Sequence, residues 1–268
     1  MLKTLRGLVR LVILLGSLVQ AMASLWLLIL RNRGHISTRQ RAEAVQRSCR
    51  MLLRRLSIEL DLHGQPPRDG LIVANHLSFL DILVFGAATP CIFISKIEVL
   101  RWPLFGRAGA LAGTVFVDRS RSAIGSDATA RVEELLREGV CVVLFPEGTS
   151  TDGSHVLAFY SSFFEPAVLS HSRITAAAVG YPRGEGYIES DICYYGDITF
   201  FPRLLETLKL RRVVSRLDFA QRGVIYENRK EAARHTRAEV IALRDRQIAA
   251  STGVAEAMPQ PAHPVVAG

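Results

Sequence analysis

No Cys-x-x-Cys pair occurs in this chain, and its four cysteines, at 49, 91, 141 and 193, stand far apart. That spacing argues against a zinc site and for unpaired thiols in a reduced compartment. A Gly-x-Ser-x-Gly elbow is missing, which argues against a serine hydrolase. No segment repeats, so solenoids and arrays are set aside. Charged residues are absent from Leu11 to Leu30. As a helix that stretch is about 30 Å long, enough to span a membrane or to dip into one leaflet. Ala21-Met22-Ala23 has the small residues of a signal-cleavage site, but Leu25-Trp26-Leu27-Leu28-Ile29-Leu30 carries the apolar run past it, against a cleaved signal.

Acidic residues are in deficit, 25 against 33 lysines and arginines, for a formal charge of +8. The excess is concentrated: Arg31, Arg33, Arg39, Arg41, Arg47, Arg50, Arg54 and Arg55 share one stretch. Nucleic acid is the partner such a block first suggests, yet no aromatics are interleaved and no recognition motif is present, so no nucleic acid is expected. The helix expected from about Thr38 to Leu56 sets Val45, Cys49, Leu52 and Leu56 on one side and Arg47, Arg50 and Arg54 on another. It suits an anionic membrane surface; a packed helix with a solvated basic face fits the same pattern. The arginines after the apolar run favour a cytoplasmic position for the domain C-terminal to it, although Lys3, Arg6 and Arg10 lie on the other flank of the run.

What is present is an alternation of strand-like and helix-like segments. Strands are predicted at 58–62, 71–74, 91–95, 113–117, 140–145, 176–179, 187–194 and 213–219. Helices are predicted after Ser78, over 123–138 and over 229–250. A length of 268 residues accommodates one large domain and a membrane-directed segment. The reading is an α/β fold, a largely parallel sheet flanked by helices, with an N-terminal membrane-associated helical segment. Residues 1–56 form that segment, 57–250 the domain, and 251–268, rich in Ala and Pro, a disordered tail.

Three loops carry chemistry, each after an apolar strand. The first holds His76 and Asp81, an imidazole and a carboxylate five residues apart. An imidazole oriented by a carboxylate is a general base near neutral pH. The same residues admit a purely structural role, since Ser78-x-x-Asp81 is a capping-box pattern; the two roles are compatible. The second loop ends in Asp118-Arg119. The third runs through Glu147-Gly148-Thr149-Ser150. Ligands of open α/β sheets bind where such loops converge. There Gly148, Thr149 and Ser150 offer backbone and hydroxyl donors, and Lys96 and Arg119 offer positive charge for an anionic group.

The ordered set Asn75-His76-x4-Asp81, Lys96 with Trp102-Pro103-Leu104-Phe105-Gly106, Gly113-x-x-Phe116-Val117-Asp118-Arg119, and Phe145-Pro146-Glu147-Gly148-Thr149 resembles the glycerolipid acyltransferase family that includes the 1-acylglycerol-3-phosphate O-acyltransferases. The resemblance spans about Leu56 to Phe219. It implies transfer of a fatty acyl chain from acyl-CoA or acyl-carrier protein to the free hydroxyl of a membrane lysophospholipid. His76 would be the base and Asp81 its orienting partner. Lys96 and Arg119 would hold the head group, and Glu147, Gly148 and Thr149 would line the acceptor site, with Ser150 beside them. No metal and no cofactor are implied. The first expected acceptor is 1-acyl-sn-glycerol 3-phosphate, giving phosphatidic acid. Two positions depart from the pattern: Ser150 stands where arginine is frequent, and Tyr160 where a cation commonly follows the Phe. They keep a lyso-ornithine lipid or another lyso-aminolipid open as acceptor. An inactive membrane-surface scaffold is the alternative of another class.

Overall fold

The computed structural model describes residues 2–118, 125–184 and 187–251. Arg119 and the expected tail beyond Ser251 lie outside the described residues. In chain order the elements are α1 (Leu2–Arg31), α2 (Thr38–Leu56), β1 (Ile58–His63), β2 (Leu71–Ala74), α3 (Leu80–Ala88), β3 (Cys91–Lys96), a 3-10 turn (Ile97–Arg101), α4 (Phe105–Ala112), β4 (Val115–Val117), α5 (Ser126–Arg137) and β5 (Cys141–Leu144). Then come a second 3-10 turn (Ser161–Phe164), α6 (Glu165–Leu169), β6 (Ile174–Gly180), α7 (Glu189–Ile192), α8 (Phe200–Lys209), β7 (Val213–Phe219) and α9 (Arg229–Ser251).

The strands form one sheet in the order β1-β7-β6-β2-β5-β3-β4. Neighbours are parallel except β6 and β7. The central strands β2 and β5 are buried along their whole length, which is why Leu71–Ala74 and Cys141–Leu144 are unbroken apolar runs. Alternate residues serve opposite faces. Ile72, Ala74, Cys141 and Val143 pack with Leu52, Leu56, Val84, Leu204 and Leu14. Leu71, Val73, Val142 and Leu144 pack with Val132, Leu135, Ala167 and Ala232. The sheet is thus a middle layer, with α1, α2, α3 and α8 on one side and α5, α6 and α9 on the other.

Local chemistry fixes the N-terminal helices. Ser37 caps α2 through a complete capping box with Gln40, and Ser57 ends it in the left-handed region at φ 56°. The helix α1 has 30 residues, about 45 Å. It begins at Leu2 and so includes Lys3, Arg6 and Arg10, which the sequence suggested as a polar flank. Its buried stripe is Gly7, Arg10, Leu14, Ser17 and Leu25. Arg6 donates to the Lys209 carbonyl at 2.9 Å, and Arg10 to the carbonyls of Leu210 and, at 2.8 Å, Arg211. Two guanidinium groups therefore meet the negative end of α8. The opposite side of α1 exposes Leu5, Leu8, Val12, Val19 and Trp26.

One expected strand is corrected. Residues 187–194 carry apolar and aromatic side chains at both ends, but 189–192 form the short helix α7. Asp191 accepts from the Ile188 N–H at 2.9 Å, closing a helical turn that competes with pairing into the sheet.

Candidate active site

The functional side chains leave the sheet at the carboxyl ends of β2, β5, β3 and β6. Because β2 lies between β5 and β6, the loop carrying His76 is flanked by the Glu147 loop on one side and by Tyr181 on the other. Its backbone is held from both directions. The Asn75 amide exchanges two bonds with the Val179 backbone, each 2.9 Å. The His76 N–H donates to Glu147 Oε1 at 2.9 Å, and the His76 carbonyl accepts from the Thr151 N–H at 2.9 Å.

His76 Nδ1 donates to Asp81 Oδ2 at 2.7 Å. The same oxygen accepts from the N–H groups of Leu77, at 2.8 Å, and Ser78, at 3.0 Å. Half of the capping box has formed, the half contributed by Asp81. Among the described residues Ser78 Oγ accepts from Leu80 N–H alone, at 3.4 Å, and Phe79 occupies the N-cap position. The carboxylate thus both starts α3 and orients the imidazole. The ring also stacks on Phe145, centroids 4.3 Å apart and planes 14° from parallel. With Nδ1 committed to Asp81, Nε2 is the nitrogen left for chemistry.

His76 lines a cavity of about 650 Å³. Its walls are largely apolar: Leu14, Leu18 and Met22 from α1, Val45, Cys49 and Leu52 from α2, and Ile82 and Leu83 from α3. Polar groups collect elsewhere on its lining: Lys96, Glu98, Thr149, Ser150, Tyr194 and Tyr195. A largely apolar space with few polar groups beside one imidazole suits an amphiphile reacting at its polar end.

The candidate residues are not all placed alike. Lys96, Thr149 and Ser150 line the cavity together with His76. The Ser150 hydroxyl is turned to the Tyr194 carbonyl, and the Gly148 N–H closes a turn onto the Phe145 carbonyl at 3.3 Å. Gly148 has φ +73°, and a Cβ there would stand 2.9 Å from the Tyr160 ring, so only glycine fits without a shift. Glu147 was expected to line the acceptor site. It is buried and absent from the cavity wall; its two oxygens accept from the N–H groups of His76 and, at 2.7 Å, Leu157. Burial raises its pKa above the ordinary carboxylate range, against the pull of those two bonds. Its place explains the residue differently: it ties the third loop to the first.

Tyr181 was not anticipated. Its hydroxyl donates to Asp81 Oδ1 at 2.5 Å, and the residue is fully buried. Burial and the adjacent Asp81 carboxylate push the phenol well above its usual pKa, so it stays a donor. Its position just beyond a strand end was the available signal. Among the described residues, no three His, Cys, Asp or Glu side chains are grouped to hold a metal ion.

Comparison with known proteins agrees with this construction. A family model described as Acyltransferase matches residues 57–181. The lyso-ornithine lipid O-acyltransferase of Rhizobium meliloti is 31% identical over 201 residues, 67% of this chain and 67% of that protein. The 1-acyl-sn-glycerol-3-phosphate acyltransferase of Neisseria meningitidis serogroup B is 32% identical over 183 residues, 67% of this chain and 71% of that protein. The crystal structure of the 1-acyl-sn-glycerophosphate acyltransferase PlsC from Thermotoga maritima aligns with a TM-score of 0.60 at 18% identity, covering 95% of this chain and all of that one; it supports the fold. With a helix-flanked, mostly parallel sheet, a histidine held by an aspartate at an apolar cavity, and relatives of this similarity, the chain belongs to the acyltransferase family.

Proposed function

We propose that this acyltransferase moves a fatty acyl chain from an acyl thioester, acyl-CoA or acyl-carrier protein, to the free hydroxyl of a membrane lysolipid. The observation that carries the reading is the His76–Asp81 pair, 2.7 Å apart, on the wall of an apolar cavity. An alcohol is a poor nucleophile until its proton leaves. His76 Nε2 takes that proton as the oxygen attacks the thioester carbonyl. The tetrahedral adduct then expels the thiolate, which takes the proton back from the imidazolium. Asp81 stabilises the imidazolium in between, and general-base help of this kind is worth roughly 10²–10⁴ in rate. No protein nucleophile is required. Ser78 is fully buried and accepts a backbone bond, which argues against its carrying the acyl group.

The apolar walls contributed by α1 and α2 are suited to the acyl chain. For the acceptor, the first choice is 1-acyl-sn-glycerol 3-phosphate, with Lys96, Arg119 and Thr149 meeting its head group. A lyso-ornithine lipid is the second reading. It is favoured by the presence of both Lys96 and Glu98 on the cavity lining, a pair of opposite charges that suits a zwitterion. The exposed apolar side of α1 supports membrane association, with the domain at the cytoplasmic surface. Purified full-length protein given acyl-CoA or acyl-carrier protein with each acceptor, followed by lipid mass spectrometry, tests all of this. Transfer to the lysophosphatidate supports the first choice. Transfer to the lyso-aminolipid alone replaces it with the second. Transfer to no lysolipid would favour a scaffold.

A further inference from the structure

The two oxygens of Asp81 are served unequally. Oδ2 receives three N–H groups, from His76, Leu77 and Ser78. Among the described residues Oδ1 is met by one donor, the Tyr181 hydroxyl. Both side chains are 0% exposed, so bulk water does not replace that donor. A buried carboxylate oxygen without its donor carries a desolvation penalty, and the carboxylate relieves it by turning or by taking a proton. Either response disturbs the bond to His76.

Tyr181 is itself fixed from behind. Its N–H donates to Glu189 Oε1 at 2.8 Å, and Glu189 Oε2 accepts from Arg244 Nη2 at 2.8 Å. Arg244 Nη1 reaches the Val179 carbonyl at 3.2 Å. A Cβ on Gly180 would lie 2.4 Å from that nitrogen, so the residue before Tyr181 has no side chain where the guanidinium passes. The strand end that presents the phenol is thereby clamped to α9.

We infer that Tyr181 is a positioning residue for transfer: its hydroxyl holds the Asp81 carboxylate with Oδ2 toward the imidazole and donates to the anion on which the imidazolium relies. The inference rests on the acyl-transfer reading above. The charged and titratable groups around it are Asp81 from α3, Glu189 from α7, Cys193 just after α7, and Arg244 from α9 through Glu189; Glu147 adjoins the pair from the β5 loop.

Two perturbations of opposite sign test it in the full-length enzyme. Tyr181→Phe removes the donor and keeps the ring. Its kcat is expected to fall about ten- to a hundredfold, the worth of one charge-assisted bond, with KM nearly unchanged. The acid limb of kcat/KM should move to higher pH, because an anion stripped of a donor makes the pair a stronger base. Combined with Asp81→Asn, the same change should cost little more. Site-specific 3-fluorotyrosine at 181 retains the hydroxyl but makes it a stronger donor, so the limb should move to lower pH; this arm serves even where the Phe variant folds poorly. A purely structural tyrosine would lower the melting temperature and leave both limbs in place, and that result overturns the inference. Wild-type protein that transfers to no lysolipid would instead overturn the reading beneath it.

Discussion

Replacing Asp81 by asparagine removes one charge and almost no volume. The asparagine oxygen, placed where Oδ2 now lies, keeps the three N–H donors of His76, Leu77 and Ser78. The amide then faces Tyr181, whose oxygen accepts from it in place of donating to Oδ1. Each of these groups retains a partner, although the phenol hydrogen gives up its acceptor. Four charge-assisted bonds, that of Tyr181 included, become neutral ones, a loss of about 1 kcal/mol each, offset by no longer burying an ion. Stability should therefore change by less than about 2 kcal/mol. The reaction barrier responds more strongly. When His76 takes the substrate proton it becomes a cation, and its carboxylate partner is gone. Unit charges about 4 Å apart at an effective dielectric near 20 attract by about 4 kcal/mol, which corresponds to about a thousandfold. We expect kcat to fall about 10²- to 10³-fold at neutral pH with substrate binding little affected. Initial rates at saturating donor and acceptor, beside a thermal melt, measure both quantities. An Asp81→Asn enzyme retaining more than about a tenth of wild-type kcat would refute the assignment of His76 as a base stabilised by Asp81.

Glu147→Gln keeps one of two carboxylate acceptors, so one N–H, that of His76 or of Leu157, is left without its partner; the expected cost is about 1–3 kcal/mol by urea unfolding. Because burial raises the Glu147 pKa above 4.5, the folded wild type binds that proton more tightly than the unfolded chain, and stability from it is lost as pH rises through the raised value. The wild-type advantage over the variant should therefore narrow across that window and level off above it; a gap that widens with pH would contradict the sign. Deleting residues 1–30 should release protein from vesicles and also abolish transfer, since α1 supplies part of the cavity wall. Residual binding through the arginines of α2, worth about 1 kcal/mol per basic residue near an anionic surface, should fall steeply with salt in a flotation assay; full transfer by the truncated form would refute the shared cavity. Ser150→Arg should lower or leave unchanged the KM for a lysophosphatidate and impair transfer to a zwitterionic lyso-aminolipid, a contrast read from parallel kinetics.

The parts of this molecule legible from sequence are those set by neighbours in the chain. The runs at 71–74 and 141–144 are apolar because both faces of a central strand are buried, and the pattern needs no partner to be recognised. His76 and Asp81 are close enough in sequence for one loop to join them. Tyr181 and Asp81 are 100 residues apart, and only its place just beyond a strand end marks Tyr181. Glu147 looked like a site residue because its loop is one; that its carboxylate turns inward depends on the N–H of His76, 71 positions away. The helix α8 was overlooked although its buried residues Phe200, Leu204, Thr207 and Leu208 follow helical spacing. The strand expected over 187–194 failed because its apolar and aromatic ends outweighed the polar Glu189-Ser190-Asp191 between them, where Asp191 closes a helical turn.

The contacts of Arg6 and Arg10 with the end of α8 impose an order of events during synthesis. Arg10 and the Leu208 carbonyl are separated by 198 residues. At roughly 5–20 residues per second, α1 leaves the ribosome about 10–40 s before the carbonyls it will dock against exist. Through most of that interval only α2 and α4, of the elements it finally packs against, are there to meet it. A bilayer that takes up the exposed leucines of α1 in that interval would fix the helix in place before α8 arrives to dock on it.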